Sequence, residues 1–201
     1  MDSSSSASSS SLSRGRRGLA VFISLAGHPF LLAPVTTLVV GWRAFGGPQT
    51  LRGVLTIVLA CLAPAGIYIG RKVQTGEWSD LDVSARKDRP HLFALGLTLL
   101  ALTAFILAAT HQPLVFTRGC VGAMLLLVTA WVSNRWLKPS MHTGFVVLTA
   151  GALWRFDLPL ALILALFAMV VGWSRIVLAR HTVPEVLTGY LLALFVVAVV
   201  F

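Results

Sequence analysis

Charge is what this chain has least of. Only 11% of its 201 residues are Asp, Glu, Lys or Arg, and seven of those are acidic. A soluble domain carries roughly 25%. So few charges cannot cover a water-exposed surface, which argues against a soluble globular domain. With a mean hydropathy of +0.86, the expectation is an integral membrane protein. Cysteine is equally sparse. Cys61 and Cys120 are the only two, and both fall in apolar runs, where small core residues are expected rather than a structural disulfide. No internal repeat is evident, and nothing suggests a second domain.

The net charge of +9 would suit nucleic acid if it formed a stripe. Here the cations sit in short gaps between apolar segments, which suits anionic headgroups and orientation signals instead. Membrane lipids are therefore expected as partners, and nucleic acid is not. Residues 1–17 are Ser-rich and end in Arg14, Arg16 and Arg17. No short apolar region with a small-residue cleavage site follows, as a signal peptide would require. The sequence predicts a disordered tail over 1–17 and one transmembrane domain over 18–201.

Crossing a bilayer takes about 20 mostly apolar residues. Seven candidate spans satisfy or approach this: 18–41, 51–70, 91–110, 114–134, 143–156, 158–174 and 185–201. The fifth and sixth are short and separated by Arg155, Phe156, Asp157 and Pro159, a tight helical hairpin. The expected fold is an all-α polytopic bundle of six or seven transmembrane helices. Trp42, Trp78, Trp131, Trp136, Trp154 and Trp173 fall near segment ends, where an interfacial aromatic belt would put them.

Three polar clusters interrupt the apolar runs: Arg89-Pro90, Pro139-Ser140-Met141-His142, and Ser174-Arg175 followed by His181 and Glu185. Two spans separate each cluster from the next, so all three return to one membrane face. Of the sixteen Lys and Arg, Arg43, Arg52, Arg118 and Arg155 lie on the other face, leaving twelve on the cluster side. The positive-inside rule then makes the cluster side cytoplasmic, and a cell (inner) membrane is expected. Without Arg89, Lys138 and Arg175 the balance is still nine to four.

Phosphoryl transfer needs cations around the phosphoryl oxygens, a nucleophile in line and an acid for the leaving oxygen. Arg89 and Arg175 suit the first role through paired donors on a planar fork, and Lys138 adds a point charge. His142 and His181 are two imidazoles able to act as nucleophile and general acid. Pro139-Ser140 and Thr182-Val183-Pro184-Glu185 read as helix starts, which favour a bound anion.

In order and spacing these residues resemble the type-2 phosphatidic acid phosphatase family. Its motifs are Lys, six residues, Arg-Pro; then Pro-Ser-Gly-His; then Ser-Arg, five residues, His, three residues, Asp. This chain has Asp82 to Arg89-Pro90, Pro139-Ser140-Met141-His142, and Ser174-Arg175 to His181 to Glu185. The resemblance covers roughly residues 82–189. It implies that His181 attacks phosphorus, Glu185 orients it, and His142 protonates the leaving group. Arg89, Ser140 and Arg175 would hold the phosphate of a lipid substrate, with no metal or other cofactor. Prenyl phosphates, phosphatidate and phosphatidylglycerophosphate all fit that description.

Three positions depart from the pattern: Asp82 for Lys, Met141 for Gly and Glu185 for Asp. The first exchanges a cation for an anion, and Arg86, Lys87 and Lys138 are the candidates to restore the charge. The departures motivate a competing expectation, a non-catalytic membrane protein that binds lipid phosphates. Asp80, Asp82 and Asp88 permit a third, a Mg²⁺-dependent prenyl-diphosphate enzyme. That chemistry calls for a second Asp-rich motif, and Asp157 is the one aspartate downstream, on the opposite face.

Blander roles stand beside these. Thr182-x-x-Glu185 also spells a capping box. Arg89 and Arg175 could be snorkelling anchors, and Asp80 and Asp82 solvated loop residues or partners of Arg86 and Lys87. His28 interrupts the first span, where an ionisable group is costly and suggests function; alternatively it satisfies a carbonyl freed by Pro29.

Overall fold

The computed structural model describes residues 4–201, with side chains from Arg14 onward. Its described residues hold no strand and eight helices: α1 (Ser4–Ala26), α2 (Pro29–Phe45), α3 (Gly47–Gln74), α4 (Arg89–Ala109), α5 (Leu114–Ser133), α6 (Met141–Leu153), α7 (Leu158–Val177) and α8 (Val183–Val200). Five of them, α3, α4, α5, α7 and α8, are long and apolar enough to cross a membrane. The pair α1 and α2 passes the same test together, bent by 48° at its break. The fold is therefore the expected all-α, multi-pass bundle. The first predicted span, 18–41, is not one continuous helix. The stretch expected as a disordered tail, 1–17, lies partly outside the described residues, and its backbone from Ser4 belongs to α1.

Proline sets most of the helix starts. It stands in the first turn of α2, α3, α4, α7 and α8, where its missing N–H has no helical partner to lose and its fixed φ suits the helix. Between α2 and α3 the chain turns through Gly46 at φ +81°, a conformation that costs glycine nothing. Asp157 caps α7 by accepting the Leu160 N–H at 3.1 Å. Its other carboxylate oxygen pairs with Arg43 at 2.9 Å, which ties α2 to the α6–α7 turn at the end remote from the clusters.

The shortest helix is the most enclosed. α6 packs against α2, α7 and α8 and buries His142, Thr143, Val146 and Leu153, among others. Its 13 residues rise about 20 Å, less than the roughly 30 Å hydrocarbon core, and its neighbours supply the surroundings that lipid would otherwise provide. α8 approaches it closely at Gly189, where a Cβ would stand 2.5 Å from the Ser140 carbonyl oxygen. Small residues at such crossings let backbones meet. On the outer helices the large apolar side chains face outward; Leu166 and Leu191 are 60% and 66% exposed, an arrangement that suits lipid and not water.

The connection from α3 to α4, residues 75–88, folds back under the bundle. Trp78 is 6% exposed and packs with Ile69 and Val83, with Tyr68 edge-on at 5.7 Å. It is a core residue of this connection and does not belong to an interfacial belt, whereas Trp42, Trp136 and Trp154 are exposed.

Candidate functional site

Arg89 begins α4, His142 lies in the first turn of α6, Arg175 is in the last turn of α7, and His181 stands in the connection before α8. All four line one cavity, together with His28 and Asp82. The three sequence clusters, which begin at Arg89, Pro139 and Ser174, thus meet at one end of the bundle.

The third cluster is locked by its own helix ends. Arg175 and His181 are linked through the backbone, with the His181 N–H donating to the Arg175 carbonyl at 3.2 Å. Between them Ala179 adopts φ +54°, the left-handed conformation that ends many helices. Glu185 makes two contacts through one oxygen. Its Oε2 accepts the Thr182 N–H at 3.0 Å in a complete capping box, and the same atom lies 3.1 Å from His181 Nδ1. A carboxylate accepts only, so Nδ1 carries the hydrogen and Nε2 keeps its lone pair. The Glu185 carbonyl also accepts the Ser140 N–H at 3.0 Å, which fastens the second cluster to the third.

Burial, then the charges of Arg89, Lys138 and Arg175, push the His181 pKa down to about 2 from 6.5. The ring is neutral at physiological pH, as a nucleophile must be. Because the unfolded chain binds a proton near 6.5 and the folded one does not, the unfolded state gains protons as pH falls through that window. Stability is therefore present above pH 6.5 and lost below it. The expected loss from this ring is about 2 kcal/mol at pH 5. Thermal unfolding in detergent should show the wild-type midpoint falling between pH 7.5 and 5 more steeply than that of His181→Asn; equal slopes would refute the buried neutral ring.

Arg89 is 4% exposed and donates through Nη1 to the Pro139 carbonyl at 2.8 Å, leaving the rest of its fork to the cavity. Arg175, 2% exposed, donates through Nη1 to Ser24 Oγ at 2.6 Å and Asp82 Oδ2 at 2.9 Å. Two buried polar atoms of lining residues, Arg175 Nε and His142 Nε2, find no hydrogen-bond partner among the described residues; neither does the buried Ser140 Oγ, although the predicted phosphate ligand Ser140 does not itself line the cavity. Buried polar groups in folded proteins are nearly always satisfied, so two unpartnered ones on one cavity wall leave a place for a polar partner.

Two of the predicted phosphate ligands are engaged elsewhere. Arg86 donates through Nε to the Asn134 carbonyl at 2.5 Å, and Lys138 donates to the carbonyls of Arg180 at 2.8 Å and Ser84 at 3.4 Å. Neither lines the cavity; both pin the 75–88 connection to its neighbours. Met141 packs with the apolar cluster of Phe93, Leu127 and Ala130 and forms cavity wall.

Asp82 and His28 were undervalued in the sequence. Asp82 is not a solvated partner of Arg86 and Lys87: its carboxylate pairs with Arg175 and faces His142 Nε2 at 3.8 Å and His28 Nε2 at 3.9 Å. It is aimed there by Val83, buried at φ +47°, an outlier for a β-branched residue. His28 caps α2, its Nδ1 accepting the Phe30 N–H at 3.2 Å, and does not serve a carbonyl freed by Pro29. The signal was present in His28-Pro29, a polar break inside an apolar run.

The side-chain donors of His28, Asp82 and His142 lie within 4.8 Å of one another, a spacing compatible with a divalent ion. Their chemistry fits poorly. With Nδ1 accepting a backbone N–H, the neutral His28 ring carries its hydrogen on Nε2 and has no lone pair there for a metal, and Asp82 already serves a guanidinium. Asp80, the other carboxylate considered for Mg²⁺, pairs with Arg180 at 3.2 Å.

No family model matches the chain, and no curated protein or solved structure is significantly similar to it.

Proposed function

We propose that the protein is a membrane phosphatase that hydrolyses a lipid phosphate or diphosphate through a phosphohistidine intermediate. The observation that carries this reading is the pair of unpartnered buried atoms on the cavity wall, Arg175 Nε and His142 Nε2, beside the buried Arg89 guanidinium and a neutral His181. A phosphoryl group supplies acceptors for the donors and an electrophile for the imidazole. His181 Nε2 attacks phosphorus, and the bond from phosphorus to the ester oxygen breaks. His142, as the imidazolium, delivers its proton to that oxygen as the lipid alcohol leaves, and its ring is left neutral. Water then attacks phosphorus, His142 takes its proton, the N–P bond breaks and inorganic phosphate departs. Glu185 holds His181 in the required tautomer throughout, as the third member of a catalytic triad does.

The scarcity of charge and the apolar outer faces support a multi-pass membrane setting, and the excess of cations on the site's side supports a cytoplasmic orientation in a cell membrane. The Asp82–Arg175 pair favours a second reading, a lipid-phosphate binder without turnover, because it already neutralises one guanidinium. The test is phosphate release by the purified protein from prenyl phosphate, phosphatidate and phosphatidylglycerophosphate, with chelator present. Release unaffected by chelator is expected. Retained binding with no release would favour the binder, and release abolished by chelator would rule out a metal-free histidine mechanism.

A further inference from the structure

The cavity that begins at the polar site does not end there. It continues between α2, α3, α4 and α5, the whole cavity measuring about 230 Å³ with its polar mouth included, and beyond the mouth its walls are almost wholly apolar. On α5 the lining residues Val115, Gly119, Ala123 and Leu127 recur every four positions, one stripe along one helix face. From Leu127 to Val115 is a descent of about 18 Å, and His28 to Val40 on α2 spans the same depth. One leaflet of a bilayer is about half of a roughly 30 Å core, so the depth is that of a single lipid tail. The volume drawn out over this length leaves room for one chain abreast.

At the deep end the walls narrow unevenly. Phe116 and Cys120 are buried, 3% and 4% exposed, and Phe116 fills the space beside Gly41 and Gly53. Gly119 is different: a Cβ there would meet nothing within 4 Å, although its neighbours are packed. It lines the chamber one helical turn above Val115. The wall opposite includes Cys61, in the π-helical segment Val58–Leu62 of α3, the kind of local widening that marks functional helix segments.

We propose that this chamber houses the tail of a single-chain lipid phosphate and that Gly119, by leaving the lower bore clear, determines how long a tail is accepted. The proposal rests on the reading of the mouth as a phosphate site. It follows from continuity: one cavity joins cations fit for a phosphate to an apolar bore of tail depth, and an apolar chamber in a packed bundle is costly to leave without contacts. A bulky side chain at Gly119 would shorten the bore without touching the mouth.

The test uses the full chain in detergent and measures binding of octyl phosphate and hexadecyl phosphate. Wild type is expected to hold the longer chain at least tenfold more tightly. Gly119→Phe should bring hexadecyl phosphate down to the affinity of octyl phosphate and leave octyl phosphate unchanged, with Gly119→Leu between, as a smaller substitution. Unchanged affinity for both chains in both variants would overturn the proposal, even if wild type released phosphate from hexadecyl phosphate and so upheld the phosphatase reading. Loss of octyl phosphate in both variants, with unaltered unfolding midpoints, would overturn it too, because so short a tail stops above Gly119. Selective loss of the longer chain without turnover by any form would uphold the chamber while the phosphatase reading failed.

Discussion

His181→Ala is expected to lower phosphate release from lipid phosphates by at least about 10³-fold, because the nucleophile leaves and nothing else in the cavity replaces it. His142 faces the carboxylate of Asp82 and not Glu185, so it lacks the partner that fixes the reactive tautomer. The variant removes a ring that is 7% exposed, so its unfolding midpoint must be recorded alongside. A protein that is folded, binds alkyl phosphate and releases none is the predicted result. His142→Ala should cost less, about 10²- to 10⁴-fold, the range for a general acid. That loss should shrink with an aryl phosphate, whose leaving oxygen needs no proton. If His181→Ala kept wild-type release, the phosphohistidine would be wrong; if His142→Ala lost equally on alkyl and aryl esters, that residue would not be the acid.

The second large effect concerns Asp82. In the family pattern this position carries a cation, yet here a carboxylate lies 2.9 Å from Arg175 Nη1. Arg175 is 2% exposed, so its charge is not screened by water, and Ser24 offers it only a neutral acceptor. Removing one member of a buried pair leaves an uncompensated charge and costs about 3–5 kcal/mol; the 23% exposure of the Asp82 side chain puts the expectation for Asp82→Asn at about 3 kcal/mol. An oxyanion at the same guanidinium should substitute for the lost carboxylate. Inorganic phosphate or vanadate should therefore raise the thermal midpoint of Asp82→Asn more than that of wild type, by the linkage of binding to folding. Equal midpoints without anion, or equal shifts with it, would mean that Asp82 does not hold the phosphate-binding cation. The confirmed pattern would explain how an anion can stand in a phosphate site: it neutralises Arg175 until a substrate phosphate takes its place.

Much of this molecule was determined by the sequence alone. Hydropathy located the five long apolar helices, because bilayer thickness leaves little choice of length, but it did not show that α6 stops at 13 residues; the start of α8 was legible in Thr182-Val183-Pro184-Glu185. Two segments between successive clusters were enough to bring Arg89, His142 and His181 to one end, a matter of counting crossings. The Thr182–Glu185 capping box was legible because its partners are three residues apart.

Only the tertiary structure decided the rest. Arg175 lies 93 positions from Asp82 and 151 from Ser24, and no local pattern says which carboxylate a guanidinium meets. Arg86 and Lys138 could be counted as cations but not assigned, because their partners are backbone carbonyls brought near by folding. The bend at Gly27-His28 was hidden in a run whose composition suited one straight span. The chamber below the site was invisible for a further reason: lipid is as apolar as a protein interior, so Leu191 on an outer face and Leu100 on the cavity wall look alike in sequence, and only the packing of four helices around a common space separates them.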